Sequence, residues 1–164
     1  MILVTGHNGF IGKNLINKFN STNGPPLLCF THDYCDLTQQ IEVENLFKQN
    51  KPKTVIHLAG TVGGIGGNQK RPGTYFYDNM QMGLNIIHQC MLNKIEKLIL
   101  ICSICGFPKF TQVPFRESDL WNGYPEETNA PYGIAKRSLA EMAKAYYKQY
   151  GLVTVCLFPT NSFG

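Results

Sequence analysis

No apolar run in this 164-residue chain approaches the roughly 18 residues that a membrane-spanning helix needs, so no membrane partner is expected. Charge is sparse too, at 16% of residues with a formal net charge of +4. The basic residues are scattered (Lys48, Lys51, Lys53; Lys94, Lys97; Lys136, Arg137) and form no stripe with interleaved aromatics. That distribution suits a small, phosphate-bearing ligand better than nucleic acid, which is not expected as a partner. Six cysteines include one C-x-x-C, Cys102-Ser103-Ile104-Cys105, with no second pair and no nearby histidine, so no metal site is expected. Cys29, Cys102 and Cys156 fall in or at the end of apolar strands, where a thiol acts as a small hydrophobe. Internal repeats and low-complexity tracts are missing. The first apolar segment starts at Met1, which leaves no room for a signal peptide and predicts a cytoplasmic protein.

What is present is alternation. Apolar strand-like runs at 1–5, 27–31, 54–58, 97–102 and 153–158 are separated by helical patterns at 10–19, 40–49, 75–92 and 132–150. At 43% hydrophobic residues the chain can bury one core, and the alternation predicts a single α/β domain over 1–164, a doubly wound parallel sheet of Rossmann type. The strand order expected from right-handed crossovers is 3-2-1-4-5. Ligands in such sheets bind beyond the carboxyl ends of the strands, where the glycine loop, Leu58-Ala59-Gly60, Ser103, Cys105 and Asn161 all fall. Two stretches lack periodicity: the glycine-rich 61–68 and the proline-punctuated 107–131, a length of loop that is usually functional.

Two motifs carry chemistry. Gly6-His7-Asn8-Gly9-Phe10-Ile11-Gly12 follows the first strand and opens a helix, so its backbone N–H groups and helix dipole can meet a pyrophosphate. Tyr132 and Lys136 are four apart on one helix and share a face. An ammonium beside a phenol is expected to lower the phenol's pKa toward the range useful for proton transfer. Either motif alone also fits simple packing. His57 in a strand and His88 on an apolar helix read as core residues.

With Ser103 and Cys105 added, the chain resembles the extended short-chain dehydrogenase/reductase superfamily, and within it the GDP-L-fucose synthase family. The resemblance rests on Val62-Gly63-Gly64-Ile65 with Arg71-Pro72, Asp78-Asn79-Met80, Ser103-Ile104-Cys105 with Pro108-Lys109, Glu127 through Tyr132, and Pro159-Thr160-Asn161. It implies conversion of a GDP-linked 4-keto-6-deoxy sugar by 3,5-epimerisation and then 4-reduction. Ser103, Cys105, Tyr132 and Lys136 would be catalytic, with Cys105 the base at the acidified C–H bonds and Tyr132 the proton donor to the carbonyl oxygen. The cofactor would meet residues Gly6 through Gly12, His32, Asp33, Asp36, Leu37, Leu58, Ala59, Gly60, Asn79, Ile101, Cys102, Lys136, Pro159, Thr160, Asn161 and Ser162. The family favours NADP(H). Asn8 and His32 stand where the family has basic side chains, and Asp33 lies where an acid favours the NAD ribose, so NAD(H) is possible. Ile104 also replaces a small polar residue, and the family's acid histidine and GDP-sugar domain lie beyond Gly164. A non-catalytic dinucleotide-binding remnant is the alternative. The resemblance further implies a homodimer through 75–92 and 132–150, whose apolar residues exceed one stripe (Met82 and Ile86 beside Met80, Leu84, Ile87 and Met91).

Overall fold

The computed structural model describes residues 1–160. Its strands are β1 (Ile2–Thr5), β2 (Leu27–Cys29), β3 (Thr54–His57), β4 (Lys97–Ile101) and β5 (Thr154–Leu157), and every pairing is parallel. Between them run α1 (Phe10–Ser21), α2 (Gln40–Asn50), α3 (Ile65–Lys70), α4 (Pro72–Leu92) and α5 (Ala130–Tyr150). Leu3, Val55, Leu98 and Leu100 are fully buried, as strands covered on both faces require. The doubly wound parallel sheet is therefore as expected.

Its order is not. The strands lie 2-1-3-4-5 rather than 3-2-1-4-5. Segment 30–39 makes a turn in which Tyr34 and Cys35 both donate to the Thr31 carbonyl, α2 follows from Gln40, and β3 then pairs with β1 on the side away from β2. Burial points the same way. All three residues of β2 are half-buried, as at an edge, whereas Val55, Ile56 and His57 of β3 are buried, as in a sheet interior. The chain crosses back over β1, and the switch point where a ligand crevice opens falls between β1 and β3.

Two stretches read as irregular are more ordered than their sequences suggest. Ile65–Lys70 forms α3, held by Asn68 Nδ2, which donates to the Gly63 carbonyl at 2.7 Å. Within 107–131, Arg137 from α5 donates to the Leu120 and Gly123 carbonyls at 2.7 and 3.1 Å, and its guanidinium stacks on Trp121 at 4.4 Å. One-turn 3-10 helices at Ile104–Gly106 and Glu117–Asp119 punctuate this region.

Helices α4 and α5 pack together on one face of the sheet. Met82, Ile86, Ile87 and Cys90 of α4 and Leu139 and Ala143 of α5 are buried, so Met82 and Ile86 belong to the core. Met80, Leu84 and Met91 with Met142 and Tyr146 are only partly covered at the core margin. His88 meets the Tyr146 hydroxyl at 3.1 Å.

His57 ties the two strands at the switch point. Its Nδ1 lies 2.8 Å from Thr5 Oγ1, which also accepts the Ala59 N–H at 3.2 Å. Burial, with help from the Lys136 charge, pushes the His57 pKa from its ordinary 6.5 down to about 3. The unfolded chain therefore takes up this proton well before the folded one does, and the contribution to stability is present above about pH 6.5 and lost as pH falls toward about 3. Replacing His57 with Asn is expected to reduce the loss of melting temperature between pH 6.5 and pH 4, measured by calorimetry against the parent chain.

Candidate active site

The glycine loop is shaped by steric necessity. Gly6 has φ +70°, and a β-carbon there would come within 2.5 Å of the Ala59 backbone nitrogen, so a side chain is excluded by conformation and by space. The Gly9 N–H donates to the Gly6 carbonyl at 3.1 Å and closes the turn. Helix α1 then begins with Gly9 as its cap, without a side-chain hydrogen bond and without an acid in the first turn. Its leading N–H groups remain open to an anion.

This loop is the centre of a cleft of about 680 Å³ across the carboxyl ends of the strands. Leu58, Ala59, Gly60, Thr61 and Val62 form the opposite wall. Toward β2 the lining is Phe30, Thr31, His32, Cys35 and Leu37; toward β4 it is Met82, Ile101 through Ile104, Tyr132, Lys136, Pro159 and Thr160. None of these lining residues is aspartate or glutamate. Such a cleft, with an uncapped helix N-terminus and no carboxylate, fits a dinucleotide's diphosphate.

Most of the expected site residues meet here, and the exceptions are informative. Asp33 is exposed and lies outside the lining. Asp36 also lies outside, its carboxylate accepting the Thr38 N–H at 2.9 Å and hydroxyl at 2.8 Å. Asn79 stands behind the wall, its Nδ2 donating to the Thr61 and Tyr75 carbonyls at 2.8 Å each. Cys105 is half-buried beside the lining, with Asn129 Nδ2 3.4 Å from its Sγ. Asn161 and Ser162 fall outside the described residues. Sequence reading missed Phe30, Thr31, Cys35, Thr61, Val62, Met82 and Ile104 as walls. Most of these side chains are apolar or small and lie just past strand ends, whereas Met82 comes from the middle of α4 and no local signal placed it there.

The reactive end is assembled by a backbone contact. A β-carbon at Gly133 would collide with the Cys105 carbonyl, so only glycine lets α5 lie this close to the 103–106 turn. Ser103 caps that turn by accepting the Cys105 N–H at 3.2 Å. Tyr132, next to Gly133, is thereby placed beside Ser103.

The electrostatics correct one expectation. The Tyr132 pKa is pushed up to about 12, chiefly by burial and then by the neighbouring Cys105, while the Ser103 hydroxyl pulls the other way. Lys136 does not offset this. Its Nζ stands 6.0 Å from the Tyr132 ring centroid, and burial lowers its own pKa to about 8. Tyr132 is thus a neutral phenol near neutral pH, and Lys136 remains predominantly an ammonium. All six cysteines are free, and Cys102 is held above the ordinary thiol range by a hydrogen bond with Cys156 and by burial. Among the described residues no three of His, Cys, Asp and Glu gather as metal ligands.

Known proteins resemble this chain in sequence and fold. The chain is 37% identical over 163 residues to GDP-L-fucose synthase 1 of Arabidopsis thaliana, covering 99% of this chain and 50% of that protein. Among solved structures, a GDP-mannoheptose C4 reductase from Campylobacter jejuni with NADP bound superposes with a TM-score of 0.95 at 29% identity, over 99% of this chain and 48% of that one. A GDP-L-fucose synthetase from Naegleria fowleri bound to NADP gives 0.90 at 27%, over 99% and 50%. The chain spans about half the length of the relatives it matches. The sequence profile of the NAD dependent epimerase/dehydratase family matches residues 2–164. With its open glycine loop and its serine, tyrosine and lysine at one end of a single cleft, the chain belongs to the NAD dependent epimerase/dehydratase family.

Proposed function

We propose that this chain supplies the dinucleotide-binding and proton-transfer part of a nucleotide-sugar epimerase/reductase of the GDP-L-fucose synthase type. The substrate is a GDP-linked 4-keto-6-deoxy sugar, and the cofactor is NADP(H). The observation that carries this reading is the meeting of Ser103, Tyr132 and Lys136 at one end of a cleft without carboxylates in its lining. The GDP-L-fucose synthase relative supports the substrate class, and the NADP-bound structures support the cofactor.

The residues divide the work by their chemistry. Gly6 through Gly12 hold the diphosphate on open backbone N–H groups, and Lys136 holds the nicotinamide ribose with its ammonium. The bound cofactor supplies hydride to the sugar's C4. Ser103 and Tyr132 donate hydrogen bonds to the C4 carbonyl oxygen, which acidifies the neighbouring C–H bonds and stabilises the enolate formed when a proton leaves. We assign removal of that proton to Cys105, next to the lining. In the reduction, Tyr132 gives its proton to the carbonyl oxygen, a role suited to a phenol that is neutral at working pH. The protein acts in the cytoplasm as a homodimer, with the partly covered Met80, Leu84, Met91, Met142 and Tyr146 and the exposed Tyr147 and Tyr150 as the paired surface.

NADPH is expected to bind this chain in the micromolar range by fluorescence titration; no binding at millimolar concentration would overturn the dinucleotide reading. In a fusion of this chain to the second half of a fucose synthase, Cys105→Ser should abolish solvent deuterium exchange at C3 and C5 while sparing hydride transfer to an epimerised substrate. Tyr132→Phe should mainly remove reduction, slowing it about 100-fold or more, the scale of general acid catalysis, with a smaller effect on the exchange. Lys136 is a buried cation without an ion-pair partner among the described residues. Lys136→Met is therefore expected to stabilise the fold by about 1 kcal/mol, raising the melting temperature by about 2–4 °C, while NADPH affinity falls.

A further inference from the structure

Helix α5 opens on a residue that does not do what its chemistry favours. Asn129 is the N-cap, and asparagine is among the best caps because its side-chain oxygen can accept the N–H of the second or third helical residue. Here the side chain makes no such bond. The second helical residue is Pro131, which has no N–H, and Asn129 sits at φ −126° and ψ 10°, outside the extended conformation usual for a capping residue. Backbone contacts fix the helix start instead. The Asn129 N–H donates to the Glu126 carbonyl at 3.2 Å, and the Gly133 N–H donates to the Asn129 carbonyl at 3.0 Å. The Glu126 carboxylate accepts the Thr128 N–H at 3.1 Å and so closes the turn before the helix.

Released from capping, the side chain turns to Cys105. Its Nδ2 donates to Cys105 Sγ at 3.4 Å, while its Oδ1 is buried without a hydrogen-bond partner. A buried acceptor left unpaired is costly and is the exception in folded proteins. Among the described residues, Asn129 is the side chain hydrogen-bonded to this sulfur. Ser103 engages the Cys105 backbone N–H at 3.2 Å, so one neighbour fixes the turn and the other fixes the side chain. The sulfur also belongs to the reactive end, since Cys105 is among the groups that hold the proton on Tyr132.

We propose that Asn129 is the positioning residue for Cys105, aiming its sulfur for proton removal in both of the forms that the step requires. The inference rests on the assignment of Cys105 as the base. In that step the proton of the sugar C–H bond passes to Sγ and the electron pair left on carbon moves toward the C4 carbonyl oxygen, so a thiolate becomes a thiol. A primary amide serves both forms. Its N–H donates to the thiolate, and half a turn about the Cβ–Cγ bond brings the unpaired Oδ1 round to accept from the thiol S–H. The unpaired oxygen is then the partner held ready for the second form, and the lost cap is the cost of directing the amide at sulfur.

Other side chains at this position fail one half of the task. An ionised aspartate has the same shape and only accepts, so it offers nothing to the thiolate. A serine caps a helix well but is too short to reach the sulfur.

The test uses the fusion of this chain to the second half of a fucose synthase, and reads solvent deuterium exchange at C3 and C5 separately from hydride transfer to an epimerised substrate. Aspartate and serine are both favoured caps, so a residue that merely started the helix would tolerate either replacement. For a positioning residue, Asn129→Asp and Asn129→Ser should each slow exchange about tenfold or more, the scale of a hydrogen bond to a charged group, while hydride transfer and the melting temperature stay close to those of the parent. Exchange at the parent rate in either folded variant overturns the inference. So does a parallel fall of exchange and hydride transfer, or loss of the folded state in both variants, because Asn129 would then be holding the helix and not the sulfur. Cys105→Ser separates this inference from the reading beneath it. Exchange that persists in Cys105→Ser removes the base assignment and the role of Asn129 together, whereas exchange lost in Cys105→Ser but kept in the Asn129 variants removes the role of Asn129 alone.

Discussion

The contact between Gly133 and the Cys105 carbonyl is the constraint on which the site depends. Tyr132 and Lys136 ride on α5, and Ser103 and Cys105 follow β4, so the groups come from segments that have no local reason to meet. A β-carbon at position 133 would hold the helix off the turn. With none there, α5 settles on backbone, and the hydroxyls of Ser103 and Tyr132 become neighbours as a consequence of packing. Arg137 reinforces the approach, binding the Leu120 and Gly123 carbonyls from the next position along the same helix.

That close approach also buries charge. Lys136 is 4% exposed and its amine is less basic than usual, while Tyr132 holds its proton more firmly than a free phenol. Both shifts have burial as their leading cause. The cleft is thus primed with a cation awaiting anionic partners and with an acid that keeps its proton until negative charge develops on a nearby oxygen. The neutral His57 beneath the glycine loop follows the same logic, since a second buried cation near Lys136 would be strongly disfavoured.

Much of the fold was legible because its signals are local. Five apolar runs and the helical patterns between them follow from side-chain periodicity, and the strand–glycine–helix segment at 1–21 can be read from a dozen neighbouring residues. Boundaries moved by only a few positions, with α4 beginning at Pro72 and α5 at Ala130. The helix at Ile65–Lys70 escaped notice because its glycines suggest a loop, and what orders it is the Asn68 side chain bonded back to Gly63. Strand order escaped for a different reason. It depends on which strand tertiary packing covers on both faces.

The sequence by itself determined the class of sheet, and it located the glycine loop and the Ser103, Tyr132 and Lys136 side chains that meet in one cleft, since each is encoded in spacings of a few residues. Tertiary structure alone decided the rest. It set β3 beside β1, left Asp33 exposed, committed Asp36 to Thr38, and raised the Tyr132 pKa where the one-turn spacing to Lys136 predicted a fall. The physical reason is common to all four. Burial and orientation are set by segments far apart in the chain, and the free energy of a charge or a carboxylate depends on what those segments place around it.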